Sequence, residues 1–103
     1  MDANRPQQPP QINLEVGDKE SEGIYSNFVV ISHSLSEFVL DFARVLPGVP
    51  KSKVFARIVM TPSNVRALLN ALEQNVKKYE EQFGKIRMAP DDTAGKGIGF
   101  TTS

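Results

Sequence analysis

The chain has 103 residues, and its 12 lysines and arginines balance its 12 aspartates and glutamates, so the formal net charge is zero. This length predicts one domain with a modest core, and the neutral charge gives no general attraction to nucleic acid or to an anionic membrane. The chain has no cysteine, which excludes disulfides, thiolate metal sites and a cysteine nucleophile. A net charge of zero also gives little electrostatic protection against self-association.

The two ends of the chain differ in composition from its middle. Residues 1–11 are polar and proline-rich and predict a disordered tail, without the apolar segment of a signal peptide. Residues 88–103 mix glycine, acidic and hydroxyl residues without a period and predict a second, glycine-rich disordered tail. The longest wholly apolar run, residues 28–31, is too short to cross a bilayer. We therefore expect a single domain over residues 12–87, in the cytoplasm and with no membrane contact.

Four segments of the domain have the composition of strands. Residues 12–16 alternate apolar and polar side chains with a period of two, and a charged loop at residues 17–23 follows. Residues 24–32, 37–46 and 53–60 are rich in β-branched and aromatic residues. The residues from Pro47 to Pro50 form a break that a central strand does not tolerate. This order predicts an antiparallel meander of about four strands.

The strand registers are predicted from turns at Leu35 and at Val49–Pro50. The predicted pairs are Phe28 with Phe42, Val30 with Leu40, Leu46 with Val54, Phe42 with Ile58 and Leu40 with Met60. Because a slip of one residue moves a strand's side chains to the other face, these registers define one apolar sheet surface. That surface comprises Ile24, Phe28, Val30, Phe38, Leu40, Phe42, Leu46, Val54, Ala56, Ile58 and Met60.

Residues 61–84 predict one long helix with recognisable ends. Thr61 is suited to the N-cap, Pro62 to the first turn and Gly84 to the C-terminal end. One apolar stripe comprises Val65, Leu68, Leu69, Leu72, Val76, Tyr79 and Phe83. At 1.5 Å per residue the helix is about 33 Å long, enough to cross the sheet. The predicted fold is therefore α+β, with this helix packed on one face of the meander.

The opposite face of the sheet is then left without a cover in the same chain. It is either solvated or covered by a partner, and we favour a partner because large exposed apolar patches are unusual on monomers. A two-fold homodimer, face to face or edge to edge, is the simplest form. The expected interface comprises Tyr25, Val29, Ile31, Val39, Asp41, Phe55, Arg57 and Val59, with Asp41 and Arg57 as diagonal neighbours able to pair.

Three features contain residue types that can take part in chemistry. His33, the one histidine, could act with Glu37 and a nearby serine as an acid/base group, but a polar hairpin loop explains residues 32–37 better. Residues 94–99 contain glycines and a lysine but lack the spacing of a phosphate-binding loop. Lys51 and Lys53, with Arg57, carry too little charge for strong phosphate binding. We predict no catalytic, cofactor-binding or metal-binding residue.

Several segments also resemble a known family when they are taken in order. They are residues 22–27, 32–41, 46–50 and 57–62 and the helix as far as Gly84. Together these segments resemble the domain of unknown function 3467 family, a group of small bacterial and archaeal proteins, over residues 12–86. The resemblance implies no activity, substrate, cofactor or catalytic residue. The order of strands and helix is also similar in outline to the SecB-type export chaperones, but no motif is shared.

We therefore expect a non-enzymatic, homo-oligomeric cytoplasmic protein that acts by binding another macromolecule. It would associate with itself, as a dimer or larger, and could bind another protein. The first alternative is a SecB-like chaperone that binds unfolded chains. The second is a weak nucleic-acid binder that uses the basic region at residues 51–57. An enzyme would require a partner chain to complete its site.

Overall fold

The structure, a computed structural model, describes residues 12–88 and 99–102. In chain order its elements are α1 (Asp18–Glu22), β1 (Phe28–His33), β2 (Phe38–Ala43), β3 (Val54–Met60), α2 (Pro62–Phe83) and β4 (Gly99–Thr102). The strands β1, β2 and β3 form an antiparallel meander, and β4 lies parallel to β1, so the sheet order is β3-β2-β1-β4. The predicted α+β class, with an antiparallel meander followed by one long helix, is confirmed.

The meander has three strands rather than the four predicted. Residues 12–16 form no strand, and Ile12, Leu14 and Val16 are all exposed. A segment with alternating side chains forms a strand only if its backbone groups pair with a neighbouring strand. The outer edge of β1, where such a strand could pair, is taken by β4. The predicted loop at residues 17–23 contains the single-turn helix α1.

The two predicted tails fall mostly outside the described residues. Residues 1–11, 89–98 and 103 lie outside the part of the chain that the structure describes. Within the predicted C-terminal tail, Gly99–Thr102 forms β4, which pairs with the first four residues of β1. A short strand can form there because β1 offers a free row of backbone donors and acceptors.

The hairpin between β1 and β2 has a register one residue away from the predicted one. Val29 pairs with Phe42 and Ile31 with Leu40. The hairpin loop consists of two residues, Leu35 and Ser36, and is closed by a hydrogen bond from Ser34 N–H to Glu37 O of 2.9 Å. The prediction centred the turn on Leu35 alone. This difference of one residue reverses which side chains of β1 share a face with those of β2.

The β2–β3 register differs from the predicted one by two residues, so Ala56, Ile58 and Met60 still share a face with Leu40 and Phe42, whereas Val54 pairs with Ala43 and lies on the second face. Leu40 pairs with Ile58 and Phe42 with Ala56, and an irregularity follows between Phe42 and Ala43. Because side chains alternate between faces, the first face carries Val29, Ile31, Phe38, Leu40, Phe42, Ala56, Ile58 and Met60. The second face carries Phe28, Val30, Val39, Asp41, Ala43, Val54, Arg57 and Val59. The prediction that Phe28 pairs with Phe42 and Val30 with Leu40 is therefore wrong, because Phe28 pairs with Ala43 and Val30 with Asp41.

The chain enters β1 through two polar residues that extend the β1–β2 ladder. The side-chain amide of Asn27 donates from Nδ2 to Val45 O at 3.0 Å, and its Oδ1 accepts from Val45 N–H at 2.8 Å. Ser26 Oγ donates to Ala43 O at 2.8 Å. The amide of Asn27 thus replaces a backbone peptide in one further pair of hydrogen bonds, and this fixes where the first strand begins.

Both predicted ends of the long helix are confirmed. Thr61 Oγ1 accepts a hydrogen bond from Asn64 N–H at 3.3 Å, and Pro62 is the first helical residue. Gly84 adopts a φ of 96°, and its N–H donates to Glu80 O at 2.9 Å. Glycine suits this position because other residues rarely adopt a positive φ.

The predicted packing of α2 against its own sheet is wrong. No residue of α2 is buried, and the buried apolar residues of the described chain are Val29, Leu40 and Ala43. Only Thr61 separates the last residue of β3 from the first residue of α2. One residue leaves too short a connection to reverse the chain and lay the helix back along the sheet, since such connections usually take several residues. The stripe correctly indicated an apolar helix surface but not what covers it.

Candidate interaction surface

The second face of the sheet carries an ion pair at its centre. Asp41 on β2 and Arg57 on β3 are direct partners in register, not diagonal neighbours as predicted. Arg57 Nε donates to Asp41 Oδ1 at 2.7 Å and Arg57 Nη2 donates to Asp41 Oδ2 at 2.9 Å. This two-bond geometry matches a planar guanidinium to a carboxylate and orients both groups. The predicted pairing of these two residues is thus present in the structure.

The ion pair changes the acidity of both groups. Hydrogen bonds from Arg57 lower the pKa of Asp41 below its ordinary value, although burial acts in the opposite direction. The same contact raises the pKa of Arg57. The Asp41 side chain is 13% exposed and that of Arg57 is 67% exposed. The carboxylate therefore lies low in the face, beneath a guanidinium that remains in contact with solvent.

Four of the eight predicted interface residues lie together on the second face. Val39 and Val59 are partners in register and lie two residues along from the ion pair on their strands. Val59 is 52% exposed, whereas Val39 is half-buried. Two aliphatic side chains beside a satisfied ion pair form a mixed, weakly polar patch. We call Val39, Asp41, Arg57 and Val59 the valine–ion-pair patch.

The other four predicted residues are not part of this patch. Val29 and Ile31 lie on the first face because of the changed β1 register, and Val29 is 1% exposed. Tyr25 is exposed in the segment before β1. Phe55 is the residue of β3 that has no partner at the irregularity, and Arg44 Cζ lies 5.6 Å from the centre of its ring. The prediction that all eight share one face is wrong.

A long apolar surface lies on α2. Its exposed apolar residues are Leu69, Leu72, Val76, Tyr79 and Phe83. The rings of Tyr79 and Phe83 lie against each other, with their centres 5.0 Å apart. A shallow groove runs between Leu72 and Val76 and is flanked by Glu73, Lys77 and Glu80. We call the row of apolar residues from Val65 to Phe83 the α2 stripe.

Residues 32–37, which include His33 and Glu37, form local contacts within the β1–β2 hairpin. The ring of His33, the last residue of β1, stacks on Phe38 with 5.3 Å between ring centres. Ser36 N–H donates to Ser34 Oγ at 3.3 Å, so this hydroxyl stabilises the tight hairpin. Glu37 accepts from Ser34 N–H through its backbone oxygen. These contacts agree with a structural role for the hairpin.

A family model described as a protein of unknown function (DUF3467) matches residues 1–88. The chain belongs to the DUF3467 family. The resemblance noted from the sequence is therefore confirmed. The match covers the meander and α2, whereas β4 lies beyond it. Comparison with curated proteins and with solved structures gives no match.

The described part of this DUF3467 chain offers neither a metal site nor a membrane-spanning helix. Over residues 12–88 and 99–102, no three histidine or acidic side chains are placed to hold a metal ion. Nor does the described chain contain a helix with the length and apolar character needed to span a membrane. Of the three basic residues considered for nucleic acid, Arg57 is engaged with Asp41. The glycine-rich segment at residues 94–98 lies outside the described residues.

Sequence reasoning did not identify the α2 stripe of this DUF3467 chain as an interaction surface. It assigned the stripe to the sheet of the same chain. A signal was nevertheless present, because the steps from Val65 to Phe83 alternate regularly between four and three residues. This spacing gives an apolar stripe that is narrower than that of a helix packed on a sheet. It is typical of a helix that packs along another helix.

Proposed function

We propose that this DUF3467 chain is a non-enzymatic, homo-oligomeric protein of the cytoplasm that acts by binding another macromolecule. The observation that carries this proposal is the exposure of α2. A helix of 22 residues presents a continuous apolar row and buries no residue against its own chain. Exposed apolar rows of this length are typical of surfaces that another chain covers.

The small core of the chain supports the same proposal. Only Val29, Leu40 and Ala43 are buried among the apolar residues that the structure describes. Apolar burial is the main free-energy gain that offsets the ordering of the backbone, and domains of this size often obtain part of it from a second chain. The neutral net charge does not oppose such association.

The direct experiment is a measurement of absolute mass by light scattering on the full chain, across protein concentration and salt. The proposal predicts a stable mass that is a multiple of the 11.4 kDa monomer. Because the contacts are mainly apolar, added salt should not dissociate the assembly. A monomer at all concentrations would overturn the proposal.

The valine–ion-pair patch is the part of the sheet that we assign to macromolecular contact. Val59 and Ile58 provide a matched pair of positions, because they are adjacent on β3, lie on opposite faces and are 52% and 45% exposed. Val59→Lys should weaken binding through the second face, and Ile58→Lys should weaken it much less. Equal effects of the two substitutions would remove the patch from the proposal.

A SecB-like chaperone is the second candidate, and the position of β3 favours it. In the described sheet β3 has one neighbour, β2, and so presents an unpaired edge with exposed Val54, Ile58 and Val59. An extended, unfolded segment can add to such an edge as a further strand. The chain should then suppress the aggregation of reduced insulin, and less so after Val59→Lys. No suppression at molar excess would exclude this candidate.

A further inference from the structure

The apolar residues of α2 follow a seven-residue repeat over almost the whole helix. Starting at Val65, successive steps of four and three residues lead through Leu69, Leu72, Val76 and Tyr79 to Phe83. This spacing averages 3.5 residues per turn, which keeps the row facing a straight or gently supercoiled neighbour helix. The row therefore has the periodicity of a coiled-coil seam.

The width of the α2 stripe also indicates a helical partner. Beyond Leu68, the positions that flank the row are polar, namely Glu73, Asn75, Glu80 and Gln82. A helix that packs on a sheet usually carries a broader apolar surface with one flank included, whereas a seam between two helices needs only the central row. The sheet of a second copy therefore fits this row less well than a helix does.

We propose that α2 pairs in an antiparallel coiled coil with α2 of a second copy, about a two-fold axis at Gln74. This inference rests on the proposed self-association and names its contact. With that axis, Val65 faces Phe83 of the second copy, Leu69 faces Tyr79, and Leu72 faces Val76. Each layer joins a larger side chain to a smaller one, which is how helix interfaces fill space without gaps.

The balance of charge pairs favours the antiparallel orientation. The axis that aligns the apolar layers also brings Arg66 beside Glu80 of the second copy, and symmetry repeats this pair. The same flank places Glu73 beside Glu73 of the second copy, so two pairs of opposite charge stand against one pair of like charge. One carboxylate oxygen of Glu80, Oε2, accepts from Ile86 N–H at 2.9 Å, which leaves Oε1 for the arginine. In the parallel orientation Glu80 would flank Asn75 and Glu73 would flank Leu68, so no opposite charges would meet.

The exposed area is sufficient for a specific contact. Leu69, Leu72, Val76, Tyr79 and Phe83 are between 42% and 66% exposed. If a large side chain offers about 200 Å² when fully exposed, two copies would together remove about 1,000 Å² from water, which is the lower bound for a specific interface. The contact can form without unfolding the chain, since no residue of α2 is buried in it.

Distances between identical spin labels on the two copies test this arrangement. The chain has no cysteine, so single cysteines at Ala67, Gln74 and Glu81 can be labelled without background. These three exposed residues share the helix face opposite the α2 stripe, so the labels leave the seam intact. In the antiparallel pair, equivalent residues separate along the axis by about 3 Å for each residue away from Gln74.

The antiparallel pair predicts a minimum distance at Gln74 and longer, equal distances at Ala67 and Glu81, where the axial separation is about 21 Å. A parallel pair would give the same distance at all three positions, and contact with a partner sheet would give no minimum at Gln74. Either of these results in an oligomer overturns the coiled coil but not the proposed self-association. A monomer overturns both.

A substitution at the central layer provides an independent measurement. Leu72→Lys places two charges in the seam and should raise the dimer dissociation constant at least about 100-fold. The matched control is Gln74→Lys, which adds the same charge on the opposite face of the helix and should leave the constant within about threefold. Similar effects of the two lysines would contradict the assignment of the seam.

Discussion

Replacement of Asn27 by alanine tests whether one side chain fixes the start of the sheet. The amide of Asn27 makes both hydrogen bonds to the backbone of Val45, at 3.0 and 2.8 Å. Each such bond contributes a net 0.5–1.5 kcal/mol, so their loss should lower the free energy of unfolding by about 1–2 kcal/mol. We expect a loss in the lower part of the range for two hydrogen bonds, because Asn27 is only half-buried and water can reach the backbone groups of Val45 that lose their partner.

The matched control is Asn75→Ala. The amide of Asn75 also bonds to a backbone oxygen, Ala71 O at 2.9 Å, but does so on the exposed surface of α2. Alanine is a better helix former than asparagine, and such a side-chain bond gives the helix little. This variant should therefore be neutral or more stable by a few tenths of a kcal/mol.

Urea denaturation, followed by circular dichroism, gives the two free energies. Both variants must be compared at one protein concentration, because self-association adds to apparent stability. Amide hydrogen exchange provides a local measurement, and the Val45 N–H should exchange faster in Asn27→Ala. An unchanged urea midpoint together with unchanged exchange at Val45 would refute the role assigned to Asn27.

Three further predictions concern the helix, the ion pair and the proposed coiled coil. Thr61→Ala removes the N-cap of α2 and should lower the free energy of unfolding by about 1 kcal/mol in urea denaturation. Thr61→Ser keeps a capping hydroxyl and should retain most of the wild-type stability. The pKa of Asp41 is lower in the folded chain than the value of about 3.9 in the unfolded chain, so its pairing with Arg57 stabilises the fold above that pH and is lost on further acidification. The stability difference between wild type and Asp41→Asn should accordingly shrink as urea midpoints are measured below about pH 4, and a difference independent of pH would contradict the assigned pairing. Arg66→Glu should weaken the dimer in sedimentation equilibrium, and the double variant with Glu80→Arg should recover part of the loss; no recovery would argue against the antiparallel charge pairs.

The elements of this fold could be predicted from local patterns, and their contacts only in part. Thr61 and Gly84 marked the ends of α2 because capping depends on residues next to the helix. The β1–β2 register was missed by one residue because residues 32–37 accommodate a turn centred on Leu35 or between Leu35 and Ser36. Hydrophobic alternation did not decide between them, because β1 carries Phe28, Val29, Val30 and Ile31 in succession and is apolar on both faces.

The candidate interaction surfaces could also be predicted only in part. Asp41 and Arg57 could be predicted to pair although the predicted β2–β3 register was wrong by two residues. A shift of two residues leaves each side chain on the same face of the sheet. The expected interface around them was too large, because it placed Val29 and Ile31 on the wrong face. The apolar row of α2 was visible in the sequence, and its steps of four and three residues are typical of a helical partner, but the prediction assigned the row to the sheet of the same chain. The length of the connection after Met60 was the information that could have decided this.

The separation of α2 from its own sheet has a consequence for how much of the chain is helical. A helix of 22 residues that buries none of them in its own chain depends mainly on its own hydrogen bonds and caps, whereas most helices in proteins owe their stability to the packing of an apolar face. Its helix content should therefore fall on dilution while the sheet persists. The amount of this protein present in a cell would then determine not only how many copies are assembled but also how many are completely folded.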